Sequence, residues 1–245
     1  MLFDTVFNKP KWRGKDDFPS CDEWKNEYNN WLLFIQNKNQ LKRYLPRLND
    51  SKTMRDETFA EISSAYLMEV KLKYPVIRWE EKTVGDRDVD FVIRAGSNEI
   101  YSEVKSPGWE SELTQEERLS GRKDLPKYRN AEVRSVAPWQ NIRYALKKSY
   151  PKFLPNCKNL LILKDDLFMG ILDWPRNIIN IDIALFEDIG TYDNERGYFV
   201  NNVFENIGGI LIWGCRLTTR IKYRWKFIAN KNSKEPFSIT NEEKL

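Results

Sequence analysis

One β-hairpin constrains this chain more than any other segment. It spans Gly85 to Lys105, with Asp88-Val89-Asp90-Phe91-Val92-Ile93-Arg94 on one arm and Glu99-Ile100-Tyr101-Ser102-Glu103-Val104-Lys105 on the other. A two-residue turn at Gly96-Ser97 puts glycine at the first central position, as a type II′ turn prefers. Antiparallel pairing about that turn sets Arg94 against Glu99, Ile93 against Ile100, Val92 against Tyr101 and Val89 against Val104. An opposite-charge pair and three apolar pairs are the kinds that stabilise a sheet. The same register sets Asp90 against Glu103 and Asp88 against Lys105. Side chains alternate between the faces of a strand, so these four share a face.

Carboxylates converging beside an ammonium group suit a hard divalent cation and a phosphate. Mg²⁺ takes few protein oxygens and leaves positions for water and phosphate oxygens, so Mg²⁺ is the expected cofactor, with Mn²⁺ able to substitute. Such a metal acidifies its bound water and acts as a Lewis acid on a phosphodiester. Lys105 would hold the attacking water or neutralise charge on the phosphoryl group. The alternative is a hairpin with a solvated charged face, where Asp88 and Lys105 form only a surface ion pair. Glu-x-Lys alone decides little in a chain that is 31% charged, and it recurs at Glu23/Lys25, Glu69/Lys71, Glu80/Lys82 and Glu242/Lys244. The apolar β context and the Asp in register set Glu103/Lys105 apart.

Asp90, twelve intervening residues, and then Glu103-Val104-Lys105 resemble the motif of the PD-(D/E)xK nuclease superfamily, with Val89 where proline often stands. The resemblance covers about residues 54–164. It implies a restriction-endonuclease-like fold, an α/β class with a mixed sheet and an αβββαβ core. It also implies a metal-dependent phosphodiester hydrolase, most simply a DNA endonuclease of restriction, defence or mobile-element type. In that reading Asp90 and Glu103 ligate the metal with the Val104 carbonyl as a third ligand, and Lys105 orients the nucleophile. A non-catalytic nucleic-acid- or protein-binding module on the same fold is the alternative.

The elements around the hairpin bear on this. A long helix is expected from Met54 to Tyr74, capped by Thr53 and ended by Pro75. Phe59, Ile62, Tyr66 and Val70 form one apolar stripe, and Ala65, Met68 and Leu72 a second, so the helix is buried on both sides. Glu61 falls on the second stripe, where a carboxylate needs a partner. The resemblance assigns Glu61 to the acidic cluster; otherwise it reaches water at the helix edge. Pro138 to Tyr150 reads as an amphipathic helix with proline at its first position. Trp139, Ile142, Ala145 and Leu146 are on its buried side, and Gln140, Arg143, Tyr144 and Lys147 on the other. The resemblance gives Gln140 a place at the site, against the commoner reading of a surface glutamine.

The expected order is helix 54–74, strands 76–82, 88–94 and 99–105, helix 138–150 and strand 159–164, with further strands at 209–213 and 223–228. Residues 1–53 form a helical, aromatic-rich extension on the core, and residues 54–245 the nuclease-like domain. A charged insertion at 106–137 overhangs the site, either a surface excursion or a grip with Arg122, Lys123, Lys127 and Arg129 as phosphate contacts. Arg143 and Lys147 would join these as nucleic-acid contacts. Other basic groups are Lys11 to Lys15, Lys42 with Arg43 and Arg47, and Arg220 to Lys226.

With 41% hydrophobic residues, 245 residues suffice for one substantial core. The net charge of +4 permits nucleic-acid binding without requiring it. DNA is the expected partner; RNA and a homodimer stay open, and a membrane is not expected. The chain has no histidine, which excludes Ser-His-Asp hydrolases and His-ligated zinc enzymes. Cys21, Cys157 and Cys215 are widely spaced and suggest neither a disulfide framework nor a zinc site. A polar N-terminus without a leader pattern points to the cytoplasm.

Overall fold

Trp24, Tyr28, Trp31, Leu32 and Ile35 lie along α2 (Asp22–Asn37) in the computed structural model, which describes residues 1–8, 18–85, 87–106, 138–164, 185–186, 197, 199–200 and 204–240. α1 (Leu2–Val6) precedes it and α3 (Leu41–Asp50) follows. These helices do not build a core of their own. Tyr28 and Trp31 meet Phe59 of α4 (Lys52–Tyr66) at ring-centroid distances of 4.7 and 5.9 Å. Aromatic side chains bury large apolar areas, and here they join the N-terminal extension to the sheet domain.

α4 departs from the single helix expected to Tyr74. Its N-cap is Ser51 rather than Thr53; the Ser51 hydroxyl accepts from Met54 N–H at 3.2 Å. Past Tyr66 the helix widens into a π turn over Leu67–Lys71, with Leu72 N–H reaching the Leu67 carbonyl at 2.9 Å. Glu69 secures that turn by accepting from Val76 N–H at 2.9 Å while pairing with Lys38 at 2.6 Å. Lys73 then adopts left-handed backbone with φ 65°, so the helix stops before Pro75 is reached.

The sheet has six strands, each beside its sequence neighbour. They are β1 (Val76–Lys82), β2 (Asp88–Ala95), β3 (Asn98–Lys105), β4 (Lys158–Lys164), β5 (Gly209–Leu217) and β6 (Ile221–Ala229). β1, β2 and β3 are antiparallel, β3, β4 and β5 parallel, and β6 antiparallel to β5. A parallel pair needs a crossover; α5 (Pro138–Ser149) and a 3₁₀ turn at Tyr150–Lys152 supply it between β3 and β4. Phe59, Ile62 and Ala65 of α4 pack with Phe91, Ile93, Ile100 and Val104 on one face. Ile142, Ala145 and Leu146 of α5 pack with Val92, Leu161, Leu163, Ile210 and Ile212 on the other. β4 is covered on both faces, which accounts for its unbroken apolar run. No helix of the described residues is long and apolar enough to cross a membrane.

The hairpin keeps its expected register from Ala95↔Asn98 down to Phe91↔Ser102. Gly96 has φ 61° and Ser97 is not among the positive-φ residues, which selects type II′ over I′. Beyond Phe91 the ladder to β3 ends, so the expected pairs Asp90–Glu103, Val89–Val104 and Asp88–Lys105 are not made in register. Val89 joins the core beside α5 whereas Val104 joins the core beside α4. Asp88 pairs in register with Lys82 of β1, and Lys105 turns to Glu103 rather than to Asp88. Arg94 does face Glu99, yet the Glu99 carboxylate is held by Arg78 at 2.6 and 3.1 Å. In β1, Glu80, between the partners of Phe91 and Val89, has φ 45°.

Where β5 begins, backbone crowds Gly209: an added Cβ would lie 2.5 Å from the Phe227 ring and 2.9 Å from the Ile228 carbonyl oxygen. Gly209→Ala is expected to cost about 1–3 kcal/mol through overpacking. Gly96→Ala meets nothing within 4 Å and bears only the left-handed penalty of roughly 1–2 kcal/mol. Urea denaturation of both variants compares them, and Gly209→Ala matching wild type would contradict the packing at β5.

Candidate functional site

Asp90 stands where β2 and β3 part. Its Oδ2 accepts from Val104 N–H at 2.6 Å, replacing a ladder bond that the main chain no longer makes. That bond holds the carboxyl against the Glu-x-Lys segment. Burial pushes the Asp90 pKa well above the ordinary carboxylate range, and the negative charges of Glu103 and Glu61 push it further. Lys105 and the Val104 N–H offset only part of this rise.

Glu103 is 0% exposed. Its Oε1 accepts from Lys152 Nζ at 2.6 Å and also from Lys105 Nζ, while its buried Oε2 has no hydrogen-bond partner. An unsatisfied buried polar atom costs about 1–3 kcal/mol, more if charged, and in a native fold such an atom calls for an explanation. Lys105 feels opposing influences. Burial alone would lower its pKa, but the charges of Glu103 and Asp90, with the hydrogen bond to Glu103, hold it above the ordinary lysine value. Lys105 is therefore an ammonium at neutral pH, a donor and counter-charge rather than a base.

Glu61 comes to this end of the sheet from α4, and its charge is felt at Asp90. Its carboxylate is held by the Arg47 guanidinium of α3 through both oxygens, Nη1 at 2.7 Å from Oε2. This fork is the geometry that arginine and carboxylate favour, and it is the partner that a carboxylate on a buried stripe requires. Tyr44, also on α3, is fully buried with its hydroxyl unpartnered. Burial first, then the Glu61 charge, raise its pKa. Asp88 Oδ1 is likewise buried without a partner.

Among the described residues no group of three or more His, Cys, Asp or Glu side chains is placed to hold a metal ion. Since Asp88, Asp90 and Glu103 do not form such a group and Glu61 is taken by Arg47, the available donors are Asp90, Glu103 Oε2 and main-chain oxygen. That oxygen-only set fits a small hard cation carried by one or two carboxylates and completed by waters.

The other predicted residues fall as follows. Val104 lends its N–H to Asp90 and its side chain to the core beside α4. Gln140 and Arg143 belong to α5, but their side chains lie outside the described residues, as do Arg122, Lys123, Lys127 and Arg129. Lys147 is exposed on α5. Arg43 and Arg47 are drawn into pairs with Glu80 and Glu61 and do not form an open basic face. Lys152 and Arg47 are the additions that the motif did not signal. Lys152 lies 49 positions from Glu103, and only its place just after the crossover helix links it to the site.

No family model matches the chain, and no curated protein matches it. A solved structure, that of Pyrococcus furiosus SfsA in complex with Ca²⁺, is similar at 14% identity with a TM-score of 0.27, over 71% of this chain and 63% of that one. The chain thus spans less than two thirds of that protein's length. A likeness this slight carries no argument about fold or function.

The raised Asp90 pKa has a sign that can be tested. A carboxyl whose pKa is higher in the folded than in the unfolded state favours folding fully only below its unfolded pKa. That contribution is lost as pH rises through the folded value. Asp90→Asn keeps an oxygen for the Val104 N–H and removes the charge. In EDTA it is expected to melt at a higher temperature than wild type at neutral pH, with the gain vanishing towards the ordinary carboxyl pKa of about 4. Thermal denaturation across pH checks this; an unchanged or lower Tm at neutral pH would contradict it.

Proposed function

We propose that this chain is a metal-dependent phosphodiester hydrolase, a DNA endonuclease on a restriction-endonuclease-like fold. The observation that carries the reading is Glu103: fully buried, saturated by two lysines on Oε1 and unpartnered on Oε2. Further support is the sequence of elements α4, β1, β2, β3, α5, β4, which is the αβββαβ order that the PD-(D/E)xK resemblance implies.

Asp90 and Glu103 Oε2 would hold Mg²⁺, with the Val104 carbonyl as a third donor. When bound, the ion supplies a Lewis acid and a water of lowered pKa. Lys152 and Lys105 keep Oε1 occupied, which leaves Oε2 as the oxygen open to a cation. Lys105, as an ammonium, positions the attacking water or the scissile phosphate and offsets the charge that develops as the P–O bond breaks. Glu61, clasped by Arg47, acts through water rather than as a direct ligand.

Plasmid and linear duplex DNA, single-stranded DNA and RNA, each with Mg²⁺, Mn²⁺ or EDTA, test the proposal. Cleavage of DNA is expected with either metal and none with EDTA. Asp90→Ala, Glu103→Ala and Lys105→Ala are each expected to lower the rate about 100-fold or more. Cleavage that persists in Glu103→Ala or in EDTA would overturn the site, and binding without cleavage would favour a non-catalytic nucleic-acid-binding module.

A further inference from the structure

We propose that the β5–β6 ribbon is a docking surface for the phosphate backbone of double-stranded DNA, an inference that rests on the nuclease reading above. The segment from Gly209 to Ala229 carries Arg216, Arg220, Lys222, Arg224 and Lys226 and no Asp or Glu. The segment thus carries a net +5, whereas the chain as a whole carries +4. The hairpin is locally basic.

The strands arrange these cations on one side. Ile210, Ile212 and Ile228 face the core beside α5, and by alternation Arg216, Lys222, Arg224 and Lys226 face the same way. Arg216, Arg220, Lys222 and Arg224 are exposed. The opposite face is apolar: Cys215, Tyr223 and Trp225 pack on the helical core, and Tyr223 stacks on Trp213 at 5.8 Å. Trp31 Nε1 donates to the Tyr223 hydroxyl at 2.7 Å. The N-terminal helices thus brace the back of a basic ribbon. Arg216 stands directly opposite Lys222.

Position links the ribbon to the site. Lys105 is in register with Leu163, and Leu163 with Ile212, so Glu103 and Lys105 share the face of the basic residues. Among the described residues β4 pairs with β5 as far as Trp213, and β5 and β6 pair on to Leu217 and Ile221. Because β3 and β5 run in the same direction, this part of the ribbon lies towards the end of the sheet that holds Lys105. Two strand spacings and four residues of rise put Arg216 about 16 Å from Lys105, or about five steps of B-DNA at ~3.4 Å each. A two-stranded ribbon also fits the major groove, ~12 Å wide. The segment contains no Asn or Gln. The ribbon therefore offers no amide to read adenine, its Arg and Lys side chains suit phosphate oxygens, and the exposed tip Thr218-Thr219-Arg220 carries no apolar anchor for a membrane.

Fluorescence anisotropy of the full chain with a short labelled duplex in EDTA tests this, using Arg220→Ala/Lys222→Ala and, separately, Lys222→Glu. Both positions are exposed, and matching circular dichroism melts establish that the variants are folded. The double variant is expected to bind at least ~10-fold more weakly at low salt, with the slope of log K against log salt reduced by about 2. Turnover at saturating DNA with Mg²⁺ should stay at the wild-type value while KM rises. Unchanged affinity and slope would overturn the proposal, as would losses confined to single-stranded DNA, RNA or phosphatidylserine vesicles. Ribbon-dependent binding without cleavage would sustain the ribbon and remove the nuclease reading; cleavage with ribbon-independent binding would do the reverse.

Discussion

Taking a carboxylate wholly out of water costs several kcal/mol unless opposite charge and hydrogen bonds replace the solvent. Glu103 is in that position, and the geometry around it follows from how its charge is compensated. Lys105 from the same strand and Lys152 from the turn after α5 converge on one oxygen. The other oxygen is left to whatever enters the site. Asp90 adds a second carboxyl that burial and its acidic neighbours resist ionising, and a cation between the two would remove that resistance. Two buried carboxyl groups thus lie near each other with their charge only partly compensated.

The backbone departs from regularity at the places that produce this arrangement. Glu80 adopts φ 45° within β1, and the neighbouring β2 turns its side chains about so that Val89 and Phe91 enter opposite cores. Asp90, at the turning point, caps the Val104 N–H instead of a main-chain carbonyl doing so. Non-glycine residues in left-handed backbone cost of order 1–3 kcal/mol and persist only where surrounding structure enforces them. The Glu80 side chain pairs with Arg43 of α3.

Much of the hairpin could be read from the chain because it is set by strong local signals. A glycine at the right turn position and facing apolar residues determine the register from Asn98 to Ser102. The strands and the crossover helix were readable for similar reasons of period and length. The failures have physical causes. Asp90/Glu103, Val89/Val104 and Asp88/Lys105 were expected by extending the regular ladder past Phe91↔Ser102, where the pairing of β2 with β3 ends. Glu99 took Arg78 from the neighbouring strand over Arg94, a choice of tertiary geometry rather than of register. The need of Glu61 for a partner was readable, whereas its identity, Arg47, depended on how α3 crosses α4. Lys152 could not be inferred from periodicity, since it sits in a short 3₁₀ turn.

The central claim is that Asp90 and Glu103 share one cation. A crystal structure of the full chain grown with Mn²⁺, examined by anomalous scattering, tests it most directly. The account predicts a peak about 2.0–2.2 Å from an oxygen of Asp90 and from Oε2 of Glu103, with Lys152 still on Oε1. Ordered carboxylates with no anomalous peak between them, or a third lysine or arginine nitrogen on Oε2, would contradict it.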